Sequence, residues 1–303
     1  MASPAMISVL RALVPLLSVF VAALNCPAAE DGGEKANGAV IAGRQGKEWN
    51  LQLTSGFLPR ADLPGLAGDA AITDYRFRLN RNWQVNGDWT LSLGGGYGLK
   101  DIDATPAVLL PEQLHALFLE VGGNYRISDR SFASLRLTPG FYGDFRKLGG
   151  DDLRMPILAL GGYSFANGFS LVGGFIYRLG YHSSSFIPAL GFSYQPDPRW
   201  RFDAVAPRPA ITYIPSARYR LFLAGDFASD EYELHEQGLG AGAIKYADFK
   251  VLAGVECQPD PAVKLSVAAG YAFERKFAFY DSTRPDLKVA DAPIVRANLE
   301  FGW

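Results

Sequence analysis

The stretch Val263-Lys-Leu-Ser-Val-Ala-Ala-Gly-Tyr-Ala-Phe-Glu274 carries the pattern that decides the fold. Every second position is apolar, at Leu265, Val267, Ala269, Tyr271 and Phe273, and between them lie Lys264, Ser266, Gly270 and Glu274. Because successive side chains of a β-strand point to opposite faces, this stretch predicts a strand with one apolar and one polar face. The same alternation recurs over 75–80, 132–142 and 218–227.

A soluble β-sandwich would show the same alternation, but the lengths of the segments and of their links favour a membrane barrel. Sandwich strands are typically about 5–6 residues long, whereas a tilted membrane strand needs about 9–11, close to the segment length seen here. Tight turns are predicted at Asn86-Gly87, Ser128-Asp129, Ala166-Asn-Gly168, Gln195-Pro-Asp-Pro198, Pro215-Ser216 and Gln258-Pro-Asp-Pro261, and longer polar links near 58–71, 98–113, 143–152, 228–242 and 276–292. Short turns on one side and long loops on the other are typical of outer-membrane barrels.

Aromatic side chains cluster beside the tight turns. Trp83 and Trp89 flank Asn86-Gly87, and the others are Tyr125, Tyr163, Phe169, Tyr194, Trp200 and Tyr213. Aromatic girdles of this kind mark the membrane–water interface of barrels. The sequence therefore predicts an all-β protein, a transmembrane up-and-down antiparallel β-barrel over residues 49–303.

The number of strands is predicted to be twelve or fourteen. Twelve segments are clear, at 49–57, 72–84, 88–98, 114–127, 131–142, 153–165, 168–178, 185–194, 217–227, 243–257, 263–275 and 293–303. Residues 199–205 and 210–214 form one more short hairpin if Pro207-Arg-Pro209 is its link, because proline donates no backbone hydrogen bond. A count of fourteen strands lets tight turns and long loops alternate without interruption. Either count is even, as in single-chain bacterial barrels.

The N-terminus indicates export. Arg11 precedes an apolar run from Ala12 to Leu24, which is followed by small residues, as in a secretory signal peptide. We expect a signal peptide over residues 1–28 and a flexible periplasmic leader over 29–48. No stretch approaches the roughly 20 apolar residues of a membrane helix. The net charge of −2 gives no electrostatic reason to expect nucleic acid as a partner.

The last strand ends Val295-Arg-Ala-Asn-Leu-Glu-Phe-Gly-Trp303, with apolar residues at Leu299, Phe301 and Trp303. This ending resembles the C-terminal signal that the barrel-assembly machinery reads in outer-membrane proteins, where the last residue is usually Phe. The chain resembles uncharacterised outer-membrane β-barrel families, including domains of unknown function, over nearly the whole mature sequence. Most of the resemblance lies in the strands of 85–227, with Leu91-Ser-Leu-Gly-Gly-Gly-Tyr97 and Pro207-Arg-Pro209. The resemblance implies a barrel in the bacterial outer membrane, in contact with outer-membrane lipid, and no particular activity.

If the apolar faces meet lipid, the charged side chains on the opposite faces point into the barrel. Charge on the lipid face would cost roughly 2–4 kcal/mol per Arg or Lys at mid-bilayer. The predicted pore-lining residues are Arg76, Arg78, Glu120, Arg136, Arg218, Arg220, Asp226, Asp248, Lys250, Glu256 and Glu274. They fit a polar channel with basic and acidic sides, and equally an ion-pair network that fills a closed lumen.

Three functions follow as hypotheses. The first is a passive pore or uptake channel for small solutes, either monomeric or a homo-oligomer, and the second is a non-conducting structural or envelope barrel. The third is a lipid hydrolase, because His182 and Ser184 have the spacing of the catalytic His and Ser in outer-membrane lipid hydrolases. The expected third catalytic residue is missing about a dozen positions on, so a polar loop is the simpler interpretation and no enzyme activity is predicted.

No cofactor or metal is predicted. The three histidines, His115, His182 and His235, are far apart in the sequence, whereas metal sites usually use His and Cys in close pairs. Gly94-Gly95-Gly96 opens no helix, so it lacks the context of a dinucleotide-binding turn.

Overall fold

The computed structural model describes residues 48–183 and 185–303. The predicted signal peptide and residues 29–47 of the predicted leader lie outside the described residues. Apart from two short 3-10 turns, Pro106–Val108 and Gly150–Asp152, the regular structure described is β-strand. The strands are β1 (Trp49–Asp62), β2 (Asp69–Gln84), β3 (Trp89–Ala104), β4 (Gln113–Ser128), β5 (Ser131–Leu137), β6 (Gly140–Gly143), β7 (Leu153–Ser164), β8 (Phe169–Leu179), β9 (Phe186–Asp197), β10 (Trp200–Val205), β11 (Ala210–Tyr213), β12 (Tyr219–Glu233), β13 (Ala243–Asp260), β14 (Val263–Tyr280), β15 (Leu287–Val289) and β16 (Ala292–Gly302).

These strands form one sheet that closes on itself. Antiparallel neighbours follow each other round the ring, β1 pairs with β16, and the short β11 pairs with β12. β5 and β6 share one position between β4 and β7, and β15 pairs only with β14. The structure is therefore a closed antiparallel barrel of fourteen strands. The predicted fold is confirmed, and the hairpin of β10 and β11 supplies the two strands that the count of twelve leaves out.

The break between β5 and β6 has a local cause. Pro139 lies between them and has no N–H to donate to a neighbouring strand. The chain keeps its place in the sheet because the Thr138 N–H donates to the Pro156 carbonyl at 3.0 Å, and the Pro139 carbonyl accepts from the Leu119 N–H at 2.9 Å.

The two ends of the barrel differ. Tight turns close one end, and the first and last strands meet there, where the Trp49 and Trp303 backbones exchange hydrogen bonds of 3.0 and 3.1 Å. Side chains stabilise these turns: the Asn86 Oδ1 accepts from the N–H groups of Asp88 and Trp89 at 2.9 and 2.8 Å. At the loop end several strands run further than the alternation predicts, and β12 reaches Glu233 and β14 reaches Tyr280.

The outer face of the barrel is apolar. Leu221 and Leu223 of β12 are 47 and 49% exposed, and their partners on β13 are Val255 and Ala253. Aromatic rings surround the turn end, with centroids 6.2 Å apart for Trp49 and Trp303, 4.6 Å for Trp89 and Tyr125, and 4.8 Å for Trp200 and Tyr213. The structure described contains no helix that is long and apolar enough to cross a membrane.

The interior is filled on one side of the loop end. Leu58, Ile72, Leu114, Ile244 and Phe277 are fully buried, and all of them point inward. The buried apolar cluster that they form takes its members from β1–β4, from β12–β16 and from adjoining loops, and none from β7–β11. The packed core of this barrel is therefore confined to one part of the ring.

Candidate functional site: the barrel lumen

Nine of the eleven predicted pore-lining residues lie on the inner face. Each alternates along its strand with side chains of the exposed apolar face, as Arg76 and Arg78 do with Tyr75 and Phe77. The nine are Arg76, Arg78, Glu120, Arg136, Arg220, Asp226, Asp248, Lys250 and Glu256. Arg218 precedes the first residue of β12, and its carbonyl accepts from the Gln258 N–H at 2.7 Å.

Glu274 does not line the lumen. It lies at an irregularity of β14 with φ of 50°, and it is exposed, while the next residue, Arg275, is only 1% exposed. The extra residue in the strand reverses the alternation, so the inward position passes from Glu274 to Arg275. The periodicity of the sequence does not indicate such a bulge.

Arginines dominate the lumen below the packed core. Arg78 is 3.5 Å from Glu120 and lies over the Phe118 ring at 5.7 Å. The charges of Arg76, Arg136 and Arg208 all act on that of Arg78. We call these four side chains the lumen arginine cluster. Two members of the cluster lack at least one polar partner. The Arg78 Nε is buried without a hydrogen-bond partner in the described structure, and the Arg136 guanidinium makes no ion pair there.

Few carboxylates balance these cations. Asp226 accepts from Arg208 at 3.0 Å and from Arg296 at 2.7 Å. Glu120 and Asp226 thus pair with the three arginines Arg78, Arg208 and Arg296, and Arg136 pairs with no carboxylate in the described structure. Because Arg136 is exposed inside the barrel, its charge is available to a solute in the lumen.

The glycines of β3 make room for this cluster. Gly94, Gly96 and Gly98 face inward, and a Cβ on Gly96 would lie 2.6 Å from the Phe118 ring and 2.4 Å from the Phe77 carbonyl oxygen. A Cβ on Gly94 would lie 1.8 Å from the Asn80 side chain. The inward glycines of β3 therefore form a stretch of inner wall without side chains, and larger side chains of β2 and β4 lie over it.

Other inward charges are neutralised locally. Asp248 accepts from Lys250 and, at 2.8 Å, from the Tyr246 hydroxyl. Asp74 accepts from Lys100, and Arg220 donates to Glu256 at 2.6 Å. These pairs fill space and tie neighbouring strands together.

Next to Arg136, the inner face of β7–β9 carries aliphatic side chains. These inward side chains alternate along each strand with the exposed apolar side chains of the outer face. They are Leu158 and Leu160 of β7, Val172 and Ile176 of β8, and Ile187 of β9. All but Val172 retain some exposure. The lumen thus has an aliphatic strip beside Arg136, and Arg154 and Arg178 border this strip toward the loop end.

A bridge crosses the lumen at the loop end. The Asp144 N–H, just after β6, donates to the Glu233 carbonyl of β12 at 3.1 Å, although five strands separate β6 from β12 in one direction and seven in the other. The buried Arg154 donates to Glu233 at 2.7 Å and lies 3.7 Å from the buried Glu231. The Asp144 carboxylate accepts from the N–H groups of His235 and Glu236 at 2.8 and 2.7 Å.

The bridge divides the mouth of the barrel in two. On the β1–β4 and β13–β16 side lies the packed core, and on the other side lies the aliphatic strip of β7–β9. The packed core contributes no buried apolar filling to the β7–β11 side of the lumen.

Several of these residues are not among the predicted pore-lining set. Arg296 lies on the polar face of the last strand and has the same alternation signal as the others. Arg208 lies in the Pro207–Pro209 link, where the pattern has no period, and Arg154 follows a loop. Nothing local in the sequence indicates that either of them meets an acid far along the chain.

His182 lies in the loop between β8 and β9, with its ring stacked on Tyr280 at 5.3 Å. Its Nε2 is 3.8 Å from Glu233 and its Nδ1 3.7 Å from Asp281. Ser184, the other half of the hydrolase hypothesis, lies outside the described residues. Within residues 48–183 and 185–303 no three His, Cys, Asp or Glu side chains group as metal ligands would.

A closed barrel with an apolar outer face, aromatic rings at its turn end and charges inside defines the class of outer-membrane-type β-barrels. Within that class, the family model for a domain of unknown function, DUF6268, matches residues 73–287, and the chain belongs to this family.

Several solved structures are similar to the chain. An outer membrane channel from Pseudomonas putida F1 is 11% identical, with 84% of this chain and 94% of that chain covered and a TM-score of 0.46. A FadL homologue from Pseudomonas aeruginosa is 9% identical, with coverages of 84 and 90% and a TM-score of 0.42. A mutant of the monoaromatic hydrocarbon channel TodX is 8% identical, with coverages of 84 and 90% and a TM-score of 0.48. No curated protein sequence matches the chain.

Proposed function

We propose that this protein is a passive channel of the bacterial outer membrane that conducts small solutes and prefers anions. The observation that carries the proposal is the lumen arginine cluster, in which Arg78 lies among the charges of Arg76, Arg136 and Arg208. Exposed Arg136 makes no ion pair in the described structure, and an unbalanced cation in a lumen with low-dielectric walls attracts anions.

The route of the solute follows the β7–β11 wall. The packed core blocks the opposite half at the loop end, whereas Leu158, Leu160 and Ile176 retain some exposure. A solute on this route meets Arg136 and, directly beside it, the aliphatic side chains of β7 and β8. Small organic anions with an apolar part suit these two surfaces best.

Conductance of the purified protein in planar bilayers tests the proposal. With a potassium chloride gradient across the bilayer, we expect discrete conductance steps and a reversal potential on the side that indicates chloride preference. Benzoate on one side should reduce the chloride current more than acetate does, because benzoate adds an apolar ring. The absence of conductance above that of protein-free bilayers would contradict the channel, and a cation-selective reversal potential would contradict the anion preference.

A non-conducting structural barrel is the second candidate, and the bridge between β6 and β12 favours it. The bridge and the packed core obstruct the loop end of the lumen, and an obstructed lumen is compatible with a purely structural barrel. The same bilayer recording separates the two candidates, since a structural barrel gives no conductance steps.

Lipid hydrolysis by His182 and Ser184 remains a hypothesis that the described residues do not address. Replacing Ser184 by Ala and measuring phospholipid turnover by the purified barrel tests it. Equal turnover by the variant and the parent protein would remove this site.

We also propose that the barrel resides in the outer membrane, surrounded by its lipid, after export directed by residues 1–28. The C-terminal strand, with Leu299, Phe301 and Trp303, is proposed as the segment that the barrel-assembly machinery reads. Recovery of the protein in the detergent-soluble outer-membrane fraction is the expected result, and recovery from the periplasm without detergent would contradict it.

A further inference from the structure

Three lysines share the outer face of the barrel at its loop end. Lys276 of β14 is paired with Ala247 of β13 on one side and with Lys288 of β15 on the other. Lys245 lies two residues beyond Ala247 on the same face of β13. A cleft of about 250 Å³ opens here, and its lining includes Lys245, Ala247, Lys276, Ala278, Phe279, Tyr280 and Asp286. We call it the lysine cleft.

An aromatic patch lies directly below the cleft on the same face. The Phe249 ring is 4.6 Å from that of Phe227 and 6.3 Å from that of Phe273, and the Tyr271 and Phe273 rings are 5.1 Å apart. Phe227 is 53% exposed and Tyr271 41%. Such exposed aromatic rings lie at the membrane–water interface of barrels. Because a strand rises about 3.3 Å per residue, Ala247 and Lys245 lie about 7 and 13 Å along β13 from Phe249. This is the level of lipid headgroups.

The charges of the cleft are poorly balanced. Lys276 has a partner in Asp286 at 2.5 Å, but no ion pair in the described structure involves Lys245 or Lys288. Directly opposed like charges, as at Lys276 and Lys288, destabilise a strand pair.

A second acid near the cleft, Glu231, is engaged by other partners. Glu231 is opposite Lys245 in register, but its carboxylate accepts from the N–H groups of His182 and Ser183 at 2.7 and 3.2 Å. It also lies 3.7 Å from Arg154. The cleft therefore keeps an excess of positive charge above an apolar, aromatic surface.

We propose that the lysine cleft binds the phosphate of a phosphorylated lipid in the outer leaflet, with the acyl chains of that lipid against Phe249 and Phe273. Phosphate supplies the negative charge that Lys245 and Lys288 lack, and the alanines Ala247 and Ala278 leave space for it between the lysines. A lipid is favoured over a free anion because the cleft opens on the outer face directly above the aromatic patch. The inference does not depend on conduction through the lumen.

Binding of lipid A to the purified barrel in detergent micelles tests this site. The probes are diphosphorylated lipid A, lipid A without phosphates, and inorganic phosphate. The test variant carries Lys245→Gln, Lys276→Gln and Lys288→Gln, and the matched control carries Lys147→Gln, Arg130→Gln and Arg199→Gln, which removes three exposed cations elsewhere. Native mass spectrometry measures the bound fraction, and the electrophoretic shift of the unheated barrel shows that each variant is folded.

We expect the parent protein and the control to retain diphosphorylated lipid A, and the test variant to lose at least about tenfold in affinity. Lipid A without phosphates should bind as weakly to the parent protein as the phosphorylated form binds to the test variant. Equal affinity of the test variant and the control for diphosphorylated lipid A would overturn the site. Inorganic phosphate binding as tightly as the lipid would overturn the lipid assignment. If the triple variant does not fold, Lys245→Gln alone is compared with Lys147→Gln, and no loss of affinity there overturns the proposal.

Discussion

At the scale of single residues, Arg136 is the side chain on which anion preference depends most directly. It points inward beside Gly122, is exposed, and makes no ion pair in the described structure. Its charge acts on that of Arg78, so a reversal of sign at Arg136 changes the field of the whole lumen arginine cluster.

Replacing Arg136 by Glu should move the reversal potential toward cation preference, because it removes one positive charge and adds one negative charge in the passage. The measurement is the zero-current potential in a potassium chloride gradient. Arg130→Glu, in a tight turn at the end of the barrel, is the control and should leave the potential near that of the parent protein. An equal shift in both variants would mean that selectivity arises at the entrance and not at the cluster.

Gly96 tests the packing that positions the cluster. An alanine Cβ at Gly96 would meet the Phe77 carbonyl oxygen at 2.4 Å and the Phe118 ring at 2.6 Å, whereas at Gly98 the nearest atom is the Ala116 Cβ at 3.5 Å. Gly96→Ala should lower the free energy of unfolding by about 1–3 kcal/mol through overpacking, and Gly98→Ala should have little effect. Urea unfolding in detergent, followed by tryptophan fluorescence, measures both. Equal unfolding midpoints would show that Phe118 does not lie against Gly96.

At the scale of elements, the bridge between β6 and β12 closes half of the mouth. Arg154 of β7 is 2% exposed and donates to Glu233 at the end of β12. Loss of its charge leaves Glu233 without this donor and Glu231 with only the N–H groups of His182 and Ser183, and removing one partner of a buried ion pair typically costs about 3–5 kcal/mol.

Arg154→Met should therefore loosen the loops 144–152 and 234–242. We expect protease cleavage within these loops in intact cells and a larger single-channel conductance. Arg146→Met is the control, since Arg146 makes a single ion pair at 3.3 Å with Glu236 and its side chain is 59% exposed. Unchanged protease resistance of the Arg154 variant would show that the bridge does not hold the mouth closed.

The last strand closes the barrel and is proposed to direct its assembly. The Trp303 ring stacks on that of Trp49, and their backbones are hydrogen-bonded. Trp303→Ala should reduce the amount of folded barrel in the outer membrane, measured as the heat-modifiable band, more than Trp83→Ala does. Trp83 is an aromatic of the same end but of a different strand. Equal folded yields would contradict a special role of the C-terminal residue.

At the scale of the whole molecule, the regular part of the fold could be predicted and the irregular part could not. The alternation over 217–227 or 263–275 predicts strands because a single period repeats along a single strand. Proline in the link 206–209 is enough to separate β10 from β11 and so to reach fourteen. The lumen lining follows from the same alternation, except at Glu274, where one extra residue changes the phase, and at Arg218, which precedes β12.

The alternation of apolar and polar residues could not predict the contacts that decide whether the barrel is open. Glu233 and Asp144 meet across the lumen although 88 positions lie between them, and no periodic pattern connects two loops. Arg208 meets Asp226 for the same reason, through the path of a proline-containing link. These contacts depend on the closed ring, which places strands that are distant in sequence opposite each other.

We propose that the apolar faces of these strands contact lipid while the charged faces point into the lumen. Nitroxide labels at each position from 219 to 227, introduced after Cys257→Ser in the protein reconstituted in lipid vesicles, test this arrangement by their accessibility to oxygen, which concentrates in the bilayer. We expect high accessibility at positions 219, 221, 223, 225 and 227 and low accessibility at 220, 222, 224 and 226. Uniform accessibility, or a maximum at the even positions, would contradict it.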